Sequence, residues 1–281
     1  MSRIDLHTHT TWSDGSFSPT ELVKWAHHHS IQTLAVTDHD TTEGLPEALA
    51  VGQPLKMELI PGIEISTHFQ NREIHVLGYF LDYQDFTFQT RIRRLQSTRV
   101  QRVQDILHRL EHCGISLSLQ DVQRLAGIGS IGRPHIAKAL IDHGFVTTFR
   151  EAFEKYLGVR GKAYVPREIP EVSEILAWIR EAGGLAILAH PFWEGYRQED
   201  INPACQRLVE KGLQGLEVFY GTFSVKQISF NLHLAKRFDL LVSGGSDFHG
   251  TYKPDIAIGK GKGSLKVPQS ALDKLRKAAG Q

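Results

Sequence analysis

Leu34-Ala35-Val36-Thr37-Asp38-His39-Asp40 begins as a buried strand and ends on three ionisable residues in a row, which need partners because unpaired charge at a strand end is costly. The pattern recurs. His7 and His9 end the run opened by Arg3-Ile4-Asp5-Leu6, Glu64 follows Leu59-Ile60-Pro61-Gly62-Ile63, and His75 lies within Ile74 to Phe80. His190-Pro191 ends Leu185 to Ala189, and Asp247-Phe248-His249 follows Leu241 to Ser246; Leu216 to Tyr220 is a further strand. Between these runs lie helical patterns. Ser18-Pro19-Thr20-Glu21 predicts a capping box with Pro at the first helical position, and further helices are expected over 172–182, 203–211, 225–237 and 269–278. Strand and helix in alternation predict an α/β protein built on a mostly parallel sheet or barrel, the architecture in which ligands collect at the carboxyl ends of strands.

The alternation stops in the middle of the chain. Residues 87–162 show only helical spacing, as in Leu95, Val103, Ile106, Leu107 and Leu110, so they read as a helical insertion into a body formed by 1–86 and 163–281. Arg91 to Arg133 holds eight Arg and three acids. The net charge of +1 conceals this: residues 1–90 carry a balance of −8 and the remainder +9. Such a split suggests a cation site or an anionic partner, though surface charge is often only solvation. The 281 residues contain 2 Cys, too few for a disulfide scaffold or a zinc ribbon, and no apolar run of membrane-spanning length. With no signal-peptide pattern at the N-terminus, a reducing, cytoplasmic setting is expected.

Alternate strand residues face one side, so His7 and His9 suit two ligands of one metal, or equally two histidines at a strand edge. Asp14 follows in the loop before the capped helix. What weighs against a purely structural explanation is that the ionisable residues converge on one rim. Imidazole and carboxylate without thiolate suit a borderline divalent ion rather than a closed structural zinc. Consecutive His27, His28 and His29 point about 100° apart on a helix and cannot chelate together. His68, His108, His112, His143 and His233 match no motif, and Cys113 and Cys205 have no nucleophile signature. The Gly-Lys repeat at 259–263 lacks P-loop spacing.

Asp5-x-His7-x-His9, Thr37-Asp38-His39, Glu64, His75, Ala189-His190-Pro191 and Ser246-Asp247-Phe248-His249 resemble, in order and over nearly the whole chain, the motifs of the polymerase and histidinol phosphatase (PHP) family of metal-dependent phosphoesterases. The resemblance implies a distorted (βα)7 PHP barrel with a helical insertion. It implies three divalent ions, manganese first, with iron, zinc or magnesium as alternatives. His7, His9, Glu64 and Asp247 would hold one ion, Asp14, His39 and His249 a second, and Glu64, His75 and His190 a third. His9, Asp247 and His249 would be catalytic, with His249 or another group of the cluster assisting the leaving oxygen. Asp5 and Asp38 would orient ligand histidines from behind.

Gly132-Arg133-Pro134-His135 and Arg160-Gly161-Lys162 resemble the branch that contains 3′,5′-nucleoside bisphosphate phosphatases and ribonuclease AM type 5′ to 3′ exoribonucleases. There Arg133, His135, Arg160 and Lys162 would grip substrate phosphate, as the planar guanidinium fork is suited to do. The alternatives are a helix-start or salt-bridge role for Arg133 and ordinary surface positions for Arg160 and Lys162. The expected partner is a nucleotide or a short 5′-phosphorylated nucleic acid, with no membrane and no obligate protein partner. A histidinol-phosphate phosphatase is the runner-up, and its cationic substrate would want acidic groups rather than an Arg-rich insertion. A non-catalytic metal- or polymerase-binding module is the third reading; missing ligands would mark it, and none is missing.

Overall fold

The computed structural model describes residues 3–70, 72–127, 129–192 and 198–281. In chain order the elements are β1 (Arg3–Asp5), α1 (Pro19–His28), β2 (Ile31–Val36), α2 (Leu45–Gly52), β3 (Glu58–Phe69), β4 (Arg72–Tyr79), α3 (Phe86–His112), α4 (Leu119–Ala126), α5 (Arg133–Asp142) and α6 (Phe149–Ala152), followed by α7 (Val172–Glu181), β5 (Leu185–Leu188), α8 (Gln198–Glu210), β6 (Gly215–Tyr220), α9 (Val225–Arg237), β7 (Leu241–Gly245) and α10 (Gln269–Ala278). The strands form one sheet in sequence order, β1 to β7. The sheet nearly closes on itself. Leu6 N–H donates to Gly244 O (3.2 Å) and Asp247 N–H to His7 O (2.9 Å). At this seam Gly245 is required, since a Cβ there would stand 2.4 Å from that of His7.

The expected distorted barrel is therefore present, with one departure from parallel order. β4 runs antiparallel to both β3 and β5, because β3 and β4 form a long hairpin. That reversal brings His75, near the start of β4, to the rim where the other strands end. At the first helix the capping box is in place: Ser18 N–H donates to Glu21 Oε2 (2.8 Å), and Glu21 N–H to Ser18 Oγ (3.2 Å). Helix α2 was not expected; it is eight residues long, with Gly at both ends and Pro46 in its first turn, too short to show a period. α8 begins at Gln198 rather than Pro203, so the proline lies inside the helix. Past α6 the chain continues as a π-helical turn, Phe153–Leu157.

Apolar side chains separate into clusters with distinct places. Inside the barrel, Ile4, Ala35, Leu77 and Ile187 pack with Leu272 and Leu275 of α10. Outside it, Ile63, Ile65, Val76 and Leu216 pack against α7, α8 and the first turns of α3, through Phe88, Ile92 and Leu95. A separate cluster joins the rest of α3 (Val103, Ile106, Leu110) to α4 and α5 through Val122, Ile136 and Leu140. Among the described residues no strand lies between β4 and β5. Helix α3 belongs to both clusters, Phe88, Ile92 and Leu95 to the barrel's and Val103, Ile106 and Leu110 to the other.

Candidate metal centre

The carboxyl rim gathers nine side chains from most of the strand ends. Strand β1 leads into His7 and His9, β2 into His39, β3 carries Glu64, and β4 contributes His75. β5 leads into His190 and β7 into Asp247 and His249, while Asp14 comes from the loop before α1. His190 (φ 26°) and Asp247 (φ 59°) adopt left-handed backbone conformations that cost an L-residue energy, a strain the surrounding strand ends impose and one that clusters at functional sites.

Glu64 stands at the centre. Its Oε2 lies 3.2 Å from His7 Nε2, 3.3 Å from His9 Nε2 and 3.1 Å from His39 Nδ1, and its Oε1 2.9 Å from both His75 Nδ1 and His190 Nε2. Asp247 Oδ1 lies 3.2 Å from His9 Nε2 and 3.4 Å from His249 Nδ1. Asp14 Oδ1 lies 3.2 Å from His249 Nε2. Three sets of ligand atoms fall within 4.8 Å of one another: His7, His9, Glu64 and Asp247; His9, Asp14, His39 and His249; and His39, Glu64 and His75. The first set matches the expected one. The second gains His9, and in the third His39 stands where His190 was expected, His190 joining through its contact with Glu64.

The donor chemistry fits divalent ions. His9 Nε2, His39 Nδ1 and Asp14 Oδ1 are buried yet have no hydrogen-bond partner, although carboxylate oxygens lie 3.1–3.3 Å from the two imidazoles and an imidazole nitrogen 3.7 Å from Asp14. Lone pairs that converge without pairing are the signature of ligands to a shared ion. Burial alone would raise the three carboxyl groups, but His249 and His39 hold Asp14 well below the usual carboxylate range. His39 and His7 do the same for Glu64, and Lys253 and His249 for Asp247. In return, against the effect of burial, Asp247 and Glu64 raise His9 to about 9, and Glu64 raises His75 to about 10. Burial drives His39 down to about 3. A cation competes with those protons for the same nitrogens.

The supporting residues differ from those expected. Asp5 accepts from Ser246 N–H (2.8 Å), Ser246 Oγ (2.6 Å) and Gly259 N–H (2.7 Å), so it pins the β1–β7 seam and touches no imidazole. Asp38 binds Thr10 and Ser13, and Ser13 Oγ in turn lies 3.4 Å from His9 Nδ1. The carboxylate that orients a ligand ring directly is Glu217, fully buried, with Oε1 2.9 Å from His7 Nδ1 and Oε2 accepting His190 N–H (2.7 Å). An acid inside the apolar run Leu216-Glu217-Val218 was the signal for it. Tyr220 and Lys253, each 2.7 Å from Asp247 Oδ2, leave Oδ1 to the cluster; nothing in the sequence flags them.

Over the cluster lies a cavity of about 110 Å³, room for a phosphate-sized anion. Asp14, His39 and His75 form its barrel wall, and Arg99, Arg102 and Arg133 its insertion wall, with Glu73 between. Arg133 opens α5 and sits 3.8 Å from Glu73, so it combines the helix-start and ion-pair roles with a place in the cavity. His135 is absent from the lining; its Nδ1 accepts Gly132 N–H (3.1 Å) and caps the helix. Arg160 and Lys162 are exposed and do not line the cavity. Arg99 and Arg102, three residues apart on one face of α3, take their place; the Arg-rich composition pointed to the segment but not to these two.

Relatives match the chain over most of its length. The chain is 36% identical over 248 residues to the 5′-3′ exoribonuclease Rnm of Escherichia coli, covering 87% of this chain and 84% of the relative. It is 33% identical over 251 residues to a 3′,5′-nucleoside bisphosphate phosphatase of Chromobacterium violaceum, covering 89% and 88%. Among solved structures, an amidohydrolase of Chromobacterium violaceum with bound sulfate and no metal superposes with a TM-score of 0.90 at 29% identity, covering 99% of this chain and 97% of that one. With residues 5–181 matching the PHP domain, and with the barrel and its rim of ligands in place, the chain belongs to the PHP domain family.

Proposed function

We propose that this metal-dependent phosphoesterase hydrolyses phosphate from 3′,5′-bisphosphonucleotides or removes nucleotides from the 5′-monophosphate end of short RNA or DNA. The observation that carries the reading is the shared cavity, in which cluster residues Asp14, His39 and His75 face Arg99, Arg102 and Arg133 of the insertion. A bisphosphonucleotide and a 5′-phosphorylated strand end both present two phosphates about one nucleoside apart. One would be held at the cluster and the other by the arginines, whose forks match phosphate oxygens in pairs. The relatives named exoribonuclease and bisphosphate phosphatase favour the same two substrate classes.

We assign His7, His9, Glu64 and Asp247 to one ion, Asp14, His39 and His249 with His9 to a second, and Glu64, His75 and His190 with His39 to a third. Bound divalent ions, manganese by preference, would acidify a water and neutralise phosphoryl charge. The chain's own part is orientation. Glu217 fixes the His7 tautomer by accepting the hydrogen bond of its Nδ1–H, which leaves Nε2 bare toward the cluster. His249 Nδ1 lies 2.9 Å from the Asp247 carbonyl, and a proton donated there likewise leaves Nε2 bare. His249 therefore suits a ligand better than a proton donor to the leaving oxygen. The setting we assign is cytoplasmic; among the described residues no helix is long and apolar enough to cross a membrane.

A manganese-supplemented assay comparing 3′,5′-bisphosphoadenosine, 5′-phosphorylated short RNA and DNA, and histidinol phosphate tests the reading. Hydrolysis of the nucleotide substrates is expected. Preference for histidinol phosphate would overturn it, and metal binding without hydrolysis of any substrate would favour a binding module. Against the first alternative, Glu73, the cavity carboxylate that stands outside the candidate ligand sets, is already flanked by Arg102 and Arg133 at 3.8 Å.

A further inference from the structure

Asp40, the third residue of Asp38-His39-Asp40, has no place in the ligand sets. It is fully buried and held at φ 53°, and every polar atom it has is engaged. Its N–H donates to Glu64 O (2.9 Å), and its carbonyl accepts the Gln96 amide (3.2 Å). Oδ1 accepts Ser66 N–H (2.8 Å), while Oδ2 accepts Arg99 Nε (2.6 Å) and Arg167 Nη1 (2.9 Å). One residue thus joins the ends of β2 and β3, which carry His39 and Glu64, to α3 and to the segment that returns from the insertion.

The consequence falls on Arg99. Its Nε and Nη2 are committed, to Asp40 and to Ser66 Oγ (3.3 Å), while Nη1 faces the cavity rim, 3.2 Å from where a Cβ on Gly132 would stand. Two arginines against one carboxylate leave the group cationic, so the pairing aims Arg99 without cancelling its attraction for an anion. A guanidinium already fixed in place loses less freedom when it meets a phosphate. We infer that Asp40 is a positioning residue which fixes Arg99 over the cavity, in register with His39, so that the substrate's second phosphate meets a preorganised grip. This rests on the two-phosphate reading given under Proposed function.

The test is Asp40→Asn in the manganese-loaded protein, assayed with 3′,5′-bisphosphoadenosine and with p-nitrophenyl phosphate, which has one phosphate. Calorimetric titration with adenosine 5′-monophosphate supplies a readout independent of turnover. The expected result is a rise of about tenfold in KM for the bisphosphate and a matching rise in Kd for the monophosphate nucleotide, with kcat and p-nitrophenyl phosphate hydrolysis within about twofold of wild type. In an Arg99→Gln background Asp40→Asn should have no further effect, since Asp40 acts through Arg99. If two uncompensated buried arginines prevent folding, the charge-balanced Asp40→Asn/Arg167→Gln protein removes the same anchor and carries the same expectation. Equal losses on both substrates, additive effects of Asp40→Asn and Arg99→Gln, or an unchanged KM would each overturn the inference. A wild-type protein that hydrolyses p-nitrophenyl phosphate but not the bisphosphate would instead overturn the two-phosphate reading.

Discussion

Glu64 turns its two oxygens to opposite sides of the rim, Oε2 toward His7, His9 and His39 and Oε1 toward His75 and His190. Loss of a charge shared this widely should be felt by the whole cluster. Glu64→Gln is expected to lower both the metal bound per chain and turnover by at least about a hundredfold in affinity and rate, while leaving the circular dichroism unchanged. Normal metal content, read by elemental analysis, would count against the shared role. Glu217→Gln keeps the shape but weakens the hold on His7, so metal affinity should fall by about 10–100-fold with the fold intact. Most of the candidate ligands were legible in the sequence because they follow an apolar run, as His39, His190 and Asp247 do at the ends of β2, β5 and β7; Asp14 in its loop and His75 inside β4 show no such sign and were named through the family resemblance. Lys253 and Tyr220 were not, because their connection with Asp247 is spatial, and Asp5 stands beside a ligand in sequence yet accepts from Ser246 just past β7, from Gly259 N–H and from the backbone N–H of His7 rather than from an imidazole.

Among the elements, β4 shows where sequence reading stops. Its apolar run identifies a strand but carries no sign of direction; the antiparallel pairing with β3 gives that, and direction decides that His75 reaches the rim. Helix α3 was legible as helical spacing, but not as the shared wall of two cores. Ile106 on that helix is fully buried in the insertion's cluster, and Ile106→Ala should destabilise the protein by about 2–5 kcal/mol, measurable by urea unfolding. Helix α8 gives a pH dependence. Burial pushes the Cys205 thiol up to about 12, so the folded chain keeps a proton that the unfolded chain releases near pH ~8.5. Stability from this group is whole below that pH and is lost as pH rises toward 12, at up to about 1.4 kcal/mol per pH unit. Cys205→Ala should flatten the alkaline limb of the urea midpoint plotted against pH; an unchanged limb would refute the assignment.

Across the molecule, the opposed charges of the two parts of the sequence meet at particular contacts. Asp40 pairs with Arg99 and with Arg167 of the returning segment, and Glu73 lies 3.8 Å from both Arg102 and Arg133, so acids of the barrel hold Arg99, Arg102 and Arg133 of the insertion. Asp14 and Glu64 face the cluster instead, where a chelator should act: prolonged treatment should abolish turnover and lower the Tm, with both restored by manganese. Helix α3 extends this union of parts. Its 27 residues make a rod about 40 Å long whose first turns are barrel core and whose last turns are insertion core. The insertion is therefore not a detachable module. A chain cut at residue 87 and rejoined at 162 would leave the barrel with an open wound where Phe88, Ile92 and Leu95 had been, whereas a graft made beyond Thr98 that retains Arg99, the partner of Asp40, would exchange the cavity-facing half and keep the foundation. New specificities built on this scaffold should enter by that second route.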